Sequence, residues 1–85
     1  MSFINVCFIK SGHPINMQTT SDTMFAELAL KYIQKVGINQ QTDQPKFIFN
    51  SAELVTDSFK SLEDLRIRDG ARIEVVLGKD IIGAI

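Results

Sequence analysis

The chain opens on an alternation. In INVCFIK, Ile4, Val6 and Phe8 alternate with Asn5, Cys7 and Ile9, a period of two rich in branched and aromatic residues. This predicts a strand with Ile4, Val6 and Phe8 facing the core. SGHP then carries turn chemistry. Ile15, Met17 and Thr19 alternate with Asn16, Gln18 and Thr20 beyond it, so the turn joins two antiparallel strands into a hairpin. At SDT the period lengthens. Ser21 or Asp22 can cap a helix by accepting a hydrogen bond from an otherwise unpaired backbone N–H. Met24, Leu28 and Tyr32 recur every four positions beside Phe25, Ala29, Ile33 and Val36, a wide apolar stripe on a helix of about three to four turns. Gly37 supplies the left-handed residue that ends such a helix, and Ile38 can fold back onto its last turn.

The segment INQQTDQP is polar and ends in proline, which predicts a surface loop. KFIFN puts Phe47 and Phe49 on one face of a third strand and Lys46, Ile48 and Asn50 on the other. Ile48 is thus an aliphatic residue on an otherwise polar face. SAEL continues into a short segment around Leu54, and VTDSFKSLEDLRI lacks a long period of either kind. It reads as an irregular connection with one helical turn near SLEDL, with Leu62, Leu65 and Ile67 available to plug a core. After the turn signal Asp69-Gly70, Arg72, Glu74 and Val76 alternate with Ile73, Val75 and Leu77 in a last strand. The first and last long strands are the most apolar and should lie side by side at the centre, parallel, with the helix crossing one face. The predicted class is α+β: a β-grasp with a mixed sheet of four to five strands crossed by one α-helix.

Size and composition narrow the picture. With 85 residues the chain has room for one core, placed at residues 1–77 with 78–85 as a tail or the start of a linker. At 45% hydrophobic and 22% charged residues, it can bury enough apolar surface to offset chain entropy. Nine basic and ten acidic side chains leave a formal charge of −1, which disfavours nucleic acid or an anionic membrane as the main partner. No apolar run reaches the ~18 residues of a spanning helix, and the start lacks a leader pattern. An intracellular location, cytoplasmic or nuclear, is expected. The single cysteine, Cys7, cannot form an internal disulfide or hold a metal alone, and it reads as a small filler side chain. His13 stands in the turn beside Pro14 with no catalytic partner assigned to it. Glu63 and Asp64 are neighbours in a short turn and diverge. No glycine-rich phosphate loop or metal-ligand spacing is present, so no cofactor, no metal and no enzymatic activity are expected.

The residues that define the elements resemble the ubiquitin-like family: SDT opening the helix, KVGI closing it, KFIFNSAEL as third strand and turn, and SLEDLRI before DGARIEVVL. The likeness runs from Ile4 to about Leu77. It implies a recognition surface on the sheet face away from the helix, where alternation places Asn5, Cys7, Ile9, Lys46, Ile48, Asn50, Glu74 and Val76. Ile48 and Val76 match the family's apolar patch, with Ile9 as its third member. Glu74 stands where ubiquitin has a histidine, and a carboxylate there should repel acidic partners that ubiquitin accepts. Ile9, Ile48, Val76, Glu74 and Lys46 are therefore the candidate protein-binding residues.

Fold alone leaves function open. The favoured expectation is a monomeric, non-conjugated interaction domain whose partners are other proteins, ubiquitin-pathway components among them. A covalent modifier is the first alternative. In this family that role needs an exposed C-terminal glycine, whereas Gly78 and Gly83 are isolated and Ala84 and Ile85 follow the second. Gly83 is the position that processing would expose. A structural scaffold domain of a larger assembly is the second alternative.

Overall fold

A computed structural model describes residues 3–54 and 59–78. Five strands form one sheet in the order β2-β1-β5-β3-β4: β1 (Phe3–Lys10), β2 (His13–Thr20), β3 (Pro45–Phe49), β4 (Ala52–Leu54) and β5 (Ala71–Leu77), crossed by helix α1 (Phe25–Val36). The two most apolar long strands are central neighbours, and β1 and β5 run parallel as expected, with Phe8 beside Ile73. β3 pairs antiparallel with β5, and the short segment around Leu54 is a fifth strand, at the edge, antiparallel to β3.

Both hairpins close on two residues in the left-handed region. Ser11 and Gly12 (φ 52° and 79°) join β1 to β2, while Asn50 and Ser51 (φ 52° and 65°) join β3 to β4. Positive φ at both central positions matches the twist of the flanking strands. The first turn is tighter than SGHP suggested, since His13 and Pro14 already belong to β2. Pro14 is tolerated there because β2 is an edge strand with no outer neighbour to bond. Asn50, expected on the outer face of β3, is instead a turn residue.

Helix α1 does not start as the sequence suggested. Neither Ser21 nor Asp22 caps it: Met24 occupies the cap position in extended conformation, with no side-chain cap. The side chains of Asp22 and Thr23 are engaged nearby, Asp22 accepting from the Thr20 hydroxyl at 2.6 Å and the Thr23 hydroxyl bonding those of Thr19 and Thr20 at 3.0 and 2.9 Å. The connection before β5 takes over the task. The Phe25 N–H donates to the Lys60 carbonyl at 3.0 Å, while Leu62 and Glu63 donate to Thr23 and Ser21, both at 2.9 Å. Met24, expected in the buried stripe, lies one residue too early and is exposed. At the other end Gly37 (φ 76°) and Ile38 both donate to the Ile33 carbonyl, and Ile38 packs on the core as the pattern predicted. The polar loop that follows holds one short helix, α2 (Gln40–Asp43), whose first turn is capped by the Asn39 side chain accepting from Gln41 and Thr42.

The core is one cluster containing every sequence-assigned inward residue of β1 (Ile4, Val6, Phe8), with Phe25, Leu28, Ala29, Tyr32 and Ile33 from α1, Phe47, Ile73 and Val75 from the sheet, and Leu62 and Ile67 as plugs from the connection. Phe47 is its hub. Its ring meets Phe8, Phe25 and Tyr32 edge-on at centroid distances of 5.8, 5.7 and 6.2 Å, while Phe8 and Tyr32 stack at 4.4 Å. Such pairs add to area burial by about 0.5–1.5 kcal/mol each. At the exit of β5, Gly78 is buried and donates to the Gln44 carbonyl at 2.8 Å. A Cβ there would come within 3.0 Å of that oxygen, so glycine permits this approach.

The hydroxyl of Tyr32 is buried without a hydrogen-bond partner among the described residues, and burial raises the pKa of this phenol above its ordinary 10.0. Tyr32→Phe is expected to stabilise the domain by about 1 kcal/mol, because it removes an unsatisfied polar group and keeps the stacking ring. The sign of the pH dependence follows: below pH 10 both folded and unfolded phenols are protonated, and above it only the unfolded one ionises readily, so stability falls. Urea titrations at pH 7 and pH 11 should show that fall in the wild type and a smaller one in Tyr32→Phe. A destabilised Tyr32→Phe at pH 7 would mean the hydroxyl has a partner such as bound water.

Candidate protein-binding face

Register decides what the outer face presents. Ile9 of β1 pairs with Pro14 of β2 on one side and with Glu74 of β5 on the other. Glu74 pairs in turn with Ile48 of β3, and Ile48 with Glu53 of β4. Pro14, Ile9, Glu74, Ile48 and Glu53 thus form one row across all five strands, with side chains about 5 Å from their neighbours. In the row beyond, Val76 pairs with Lys46. In the row on the other side, Cys7 pairs with Asn16 and Arg72. Because Ile4, Val6, Phe8, Phe47, Ile73 and Val75 are buried beneath α1, the alternating positions face away from the helix.

All five sequence-selected residues therefore fall in two adjacent rows: Ile9, Glu74 and Ile48 in one, Val76 and Lys46 in the next. Ile9, Ile48 and Val76 are half-buried, whereas Glu74 and Lys46 are exposed. Glu74 is the middle of the arrangement, with an isoleucine on each side across the strands and Arg72 and Val76 before and after it on its own strand. Among the described residues neither Glu74, Lys46 nor Arg72 makes an ion pair; the i,i+4 pair Glu27–Lys31 on α1, at 3.9 Å, lies elsewhere. Pro14, Glu53 and Arg72 share the face and were not selected from sequence. Arg72 could have been read from the alternation of β5, but Pro14 and Glu53 enter only through strand register, which no local pattern specifies.

Other candidate chemistry is dispersed. His13 is exposed at the start of β2, and Glu63 and Asp64 are exposed and part of the local turn, the Asp64 N–H donating to the Ser61 hydroxyl at 3.1 Å. No group of three or more His, Cys, Asp or Glu side chains among the described residues could hold a metal ion. Among them, too, no helix is long and apolar enough to cross a membrane. Gly83 lies outside the described residues.

A mixed five-stranded sheet in this order, grasping one main helix, defines a ubiquitin-like β-grasp domain. Solved structures share it. The ubiquitin-like domain of yeast Ddi1 superposes with a TM-score of 0.78 at 13% identity, covering 89% of this chain and 90% of that one. Ubiquitin of Caldiarchaeum subterraneum gives a TM-score of 0.75 at 13% identity, over 89% and 94% of the two chains. ATBAG1, solved in complex with HSP70, gives 0.74 at 16% identity over 95% of this chain and 46% of that chain. These likenesses show the fold. The family is shown by residues 8–77, which match the ubiquitin-2 like Rad60 SUMO-like (Rad60-SLD) family, and the chain belongs to it. A comparison with curated protein sequences finds no significant match.

Glu74 in an aliphatic row is a poor choice for strand stability, because Glu has low strand propensity and cannot pack against the two flanking isoleucines as a branched residue would. Glu74→Val is therefore expected to raise stability by about 0.5 kcal/mol, read from the urea midpoint at unchanged m-value. A loss of stability would instead assign Glu74 a structural task.

Proposed function

We propose that this domain is a protein-interaction module that binds partner proteins non-covalently through the outer sheet face, as a monomer and without enzymatic activity or a cofactor. One observation carries the reading: Ile9, Ile48 and Val76, three aliphatic side chains on three different strands, gather around one exposed carboxylate on the face away from the core. Covering what is still exposed of each half-buried aliphatic is worth roughly 1 kcal/mol. Three together offset part of the cost of association, so this patch supports a weak and specific contact. The domain's likeness to Ddi1's ubiquitin-like domain and to ATBAG1, a protein solved bound to HSP70, is compatible with partners that are proteins. Ubiquitin-pathway components are the expected class, in a cytoplasmic or nuclear setting.

Non-conjugation is part of the same proposal. Within residues 1–85 no two glycines are adjacent, which supports this reading over the modifier alternative.

Two measurements test this. Ile48→Asp should keep the fold, since Ile48 faces away from the core, and should reduce capture of specific partners by at least about tenfold, the effect of roughly 1.4 kcal/mol. Undiminished capture would remove the sheet face from the proposal. Tagged domain incubated in cell extract with ATP should keep its own mass by intact mass spectrometry. Adducts through Gly83 would show conjugation.

A further inference from the structure

The position of Glu74 constrains the chemistry of the partner. Ile9 and Ile48 are its lateral neighbours, one on each side, so any surface that covers both isoleucines also covers the carboxylate between them. Glu74 is exposed and in no ion pair among the described residues, so in the free domain water solvates its charge. Docking strips that water away. A carboxylate buried without a counter-charge is disfavoured by more than a flanking aliphatic gains on burial, and an apolar or acidic partner surface would leave it in that state. The domain's own cations do not relieve it in this structure: Lys46 is opposite Val76 in the next row and Arg72 is beside Cys7 in the row before, and neither is paired with Glu74.

We infer that the outer sheet face is built for a protein surface that presents one Arg or Lys side chain to Glu74, ringed by apolar residues that cover Ile9, Ile48 and Val76. The inference rests on the sheet-face reading and adds the charge of the partner to it. An arginine suits the position well, because its planar guanidinium accommodates a carboxylate through two parallel hydrogen bonds while its stem covers neighbouring aliphatic groups. Arg72 and Lys46 in the adjacent rows repel a second cation on either side of Glu74 along its strand, so the partner's charge is centred on this carboxylate.

The test uses two capped peptides of equal length, each with a central residue flanked by leucine and isoleucine, differing only in having Arg or Glu at the centre. Each is titrated into the 15N-labelled domain and binding is read from amide shifts. The Arg peptide should perturb the amides of Ile9, Ile48 and Glu74 and bind about tenfold more tightly than the Glu peptide at low salt, with the preference shrinking as salt rises. Glu74→Arg should reverse the preference, and Ile48→Asp should weaken binding of the Arg peptide. Equal binding of the two peptides, or a preference unchanged by Glu74→Arg, overturns the charge assignment while leaving the face as a binding surface. Absence of any shift in this row with the Arg peptide also overturns it, and partner capture by Ile48→Asp then judges the sheet-face reading separately.

Discussion

The seating of β5 between β1 and β3 is the constraint on which the rest depends. It is the middle strand of the five, with two strands on either side, parallel to β1 and antiparallel to β3. Two local features fix its register. Ile73 and Val75 are buried in the core, so a slip by one residue would turn them to water and carry Arg72 and Glu74 inward. At the strand's entrance Asp69 accepts the Asn5 N–H at 2.8 Å, and the Gly70 N–H donates to the Asn5 carbonyl at 2.8 Å. This clasp joins the beginning of β1 to the turn that launches β5, residues 64 positions apart in sequence. Both sides of the sheet follow from it: the aromatic cluster beneath, and the Ile9–Glu74–Ile48 row above.

The core shows how the helix is held at that register. Phe47 is reached from β1 by Phe8 and from α1 by Phe25 and Tyr32, so one ring ties the helix to two strands that are not neighbours. Phe8 and Tyr32 stack face to face alongside it. The arrangement has a polar cost at the Tyr32 hydroxyl, which is buried with no partner among the described residues while the ring itself carries the packing. The start of the helix depends equally on tertiary structure. Its first N–H is satisfied by the Lys60 carbonyl, so α1 and the connection before β5 stabilise each other and should form cooperatively.

The elements legible in the sequence are those whose signal is local and periodic. Alternation located β1, β2, β3 and β5 with the correct inward residues, and the four-residue spacing with Gly37 located α1 and its end. What failed locally was decided by distant groups. Ser21 and Asp22 are good cap residues by type, yet the helix begins later because Lys60 offers a carbonyl to Phe25 and because the Asp22 carboxylate is taken up by the Thr20 hydroxyl. Met24 fits the helical spacing but precedes the first helical residue. The helix α2 is four residues long with no buried member, so no hydrophobic period could announce it; Asn39 as its cap was the available sign. The outer face was legible in its membership and illegible in its order. Alternation says that Ile9, Ile48 and Glu74 share a face, but only strand order and register place the carboxylate between the two isoleucines.

That order changes what Glu74 means. Read along its own strand, it is an unremarkable polar residue between Arg72 and Val76 in a half-exposed strand. Read across the sheet, it interrupts what would otherwise be a continuous branched-aliphatic row from Ile9 to Ile48, at the position where strand propensity and cross-strand packing both favour a different residue. Sequences are locally consistent with their folds except where another requirement intervenes. The core beneath supplies none, because the Glu74 side chain faces away from it and holds no ion pair or hydrogen bond among the described residues. On the proposed reading the requirement acts on the water side of the sheet, where a charge set between two aliphatic side chains admits a cationic surface and rejects an apolar or acidic one. Selection of partners by charge, with affinity drawn from the flanking isoleucines, is the physical account that makes this residue consistent with its position.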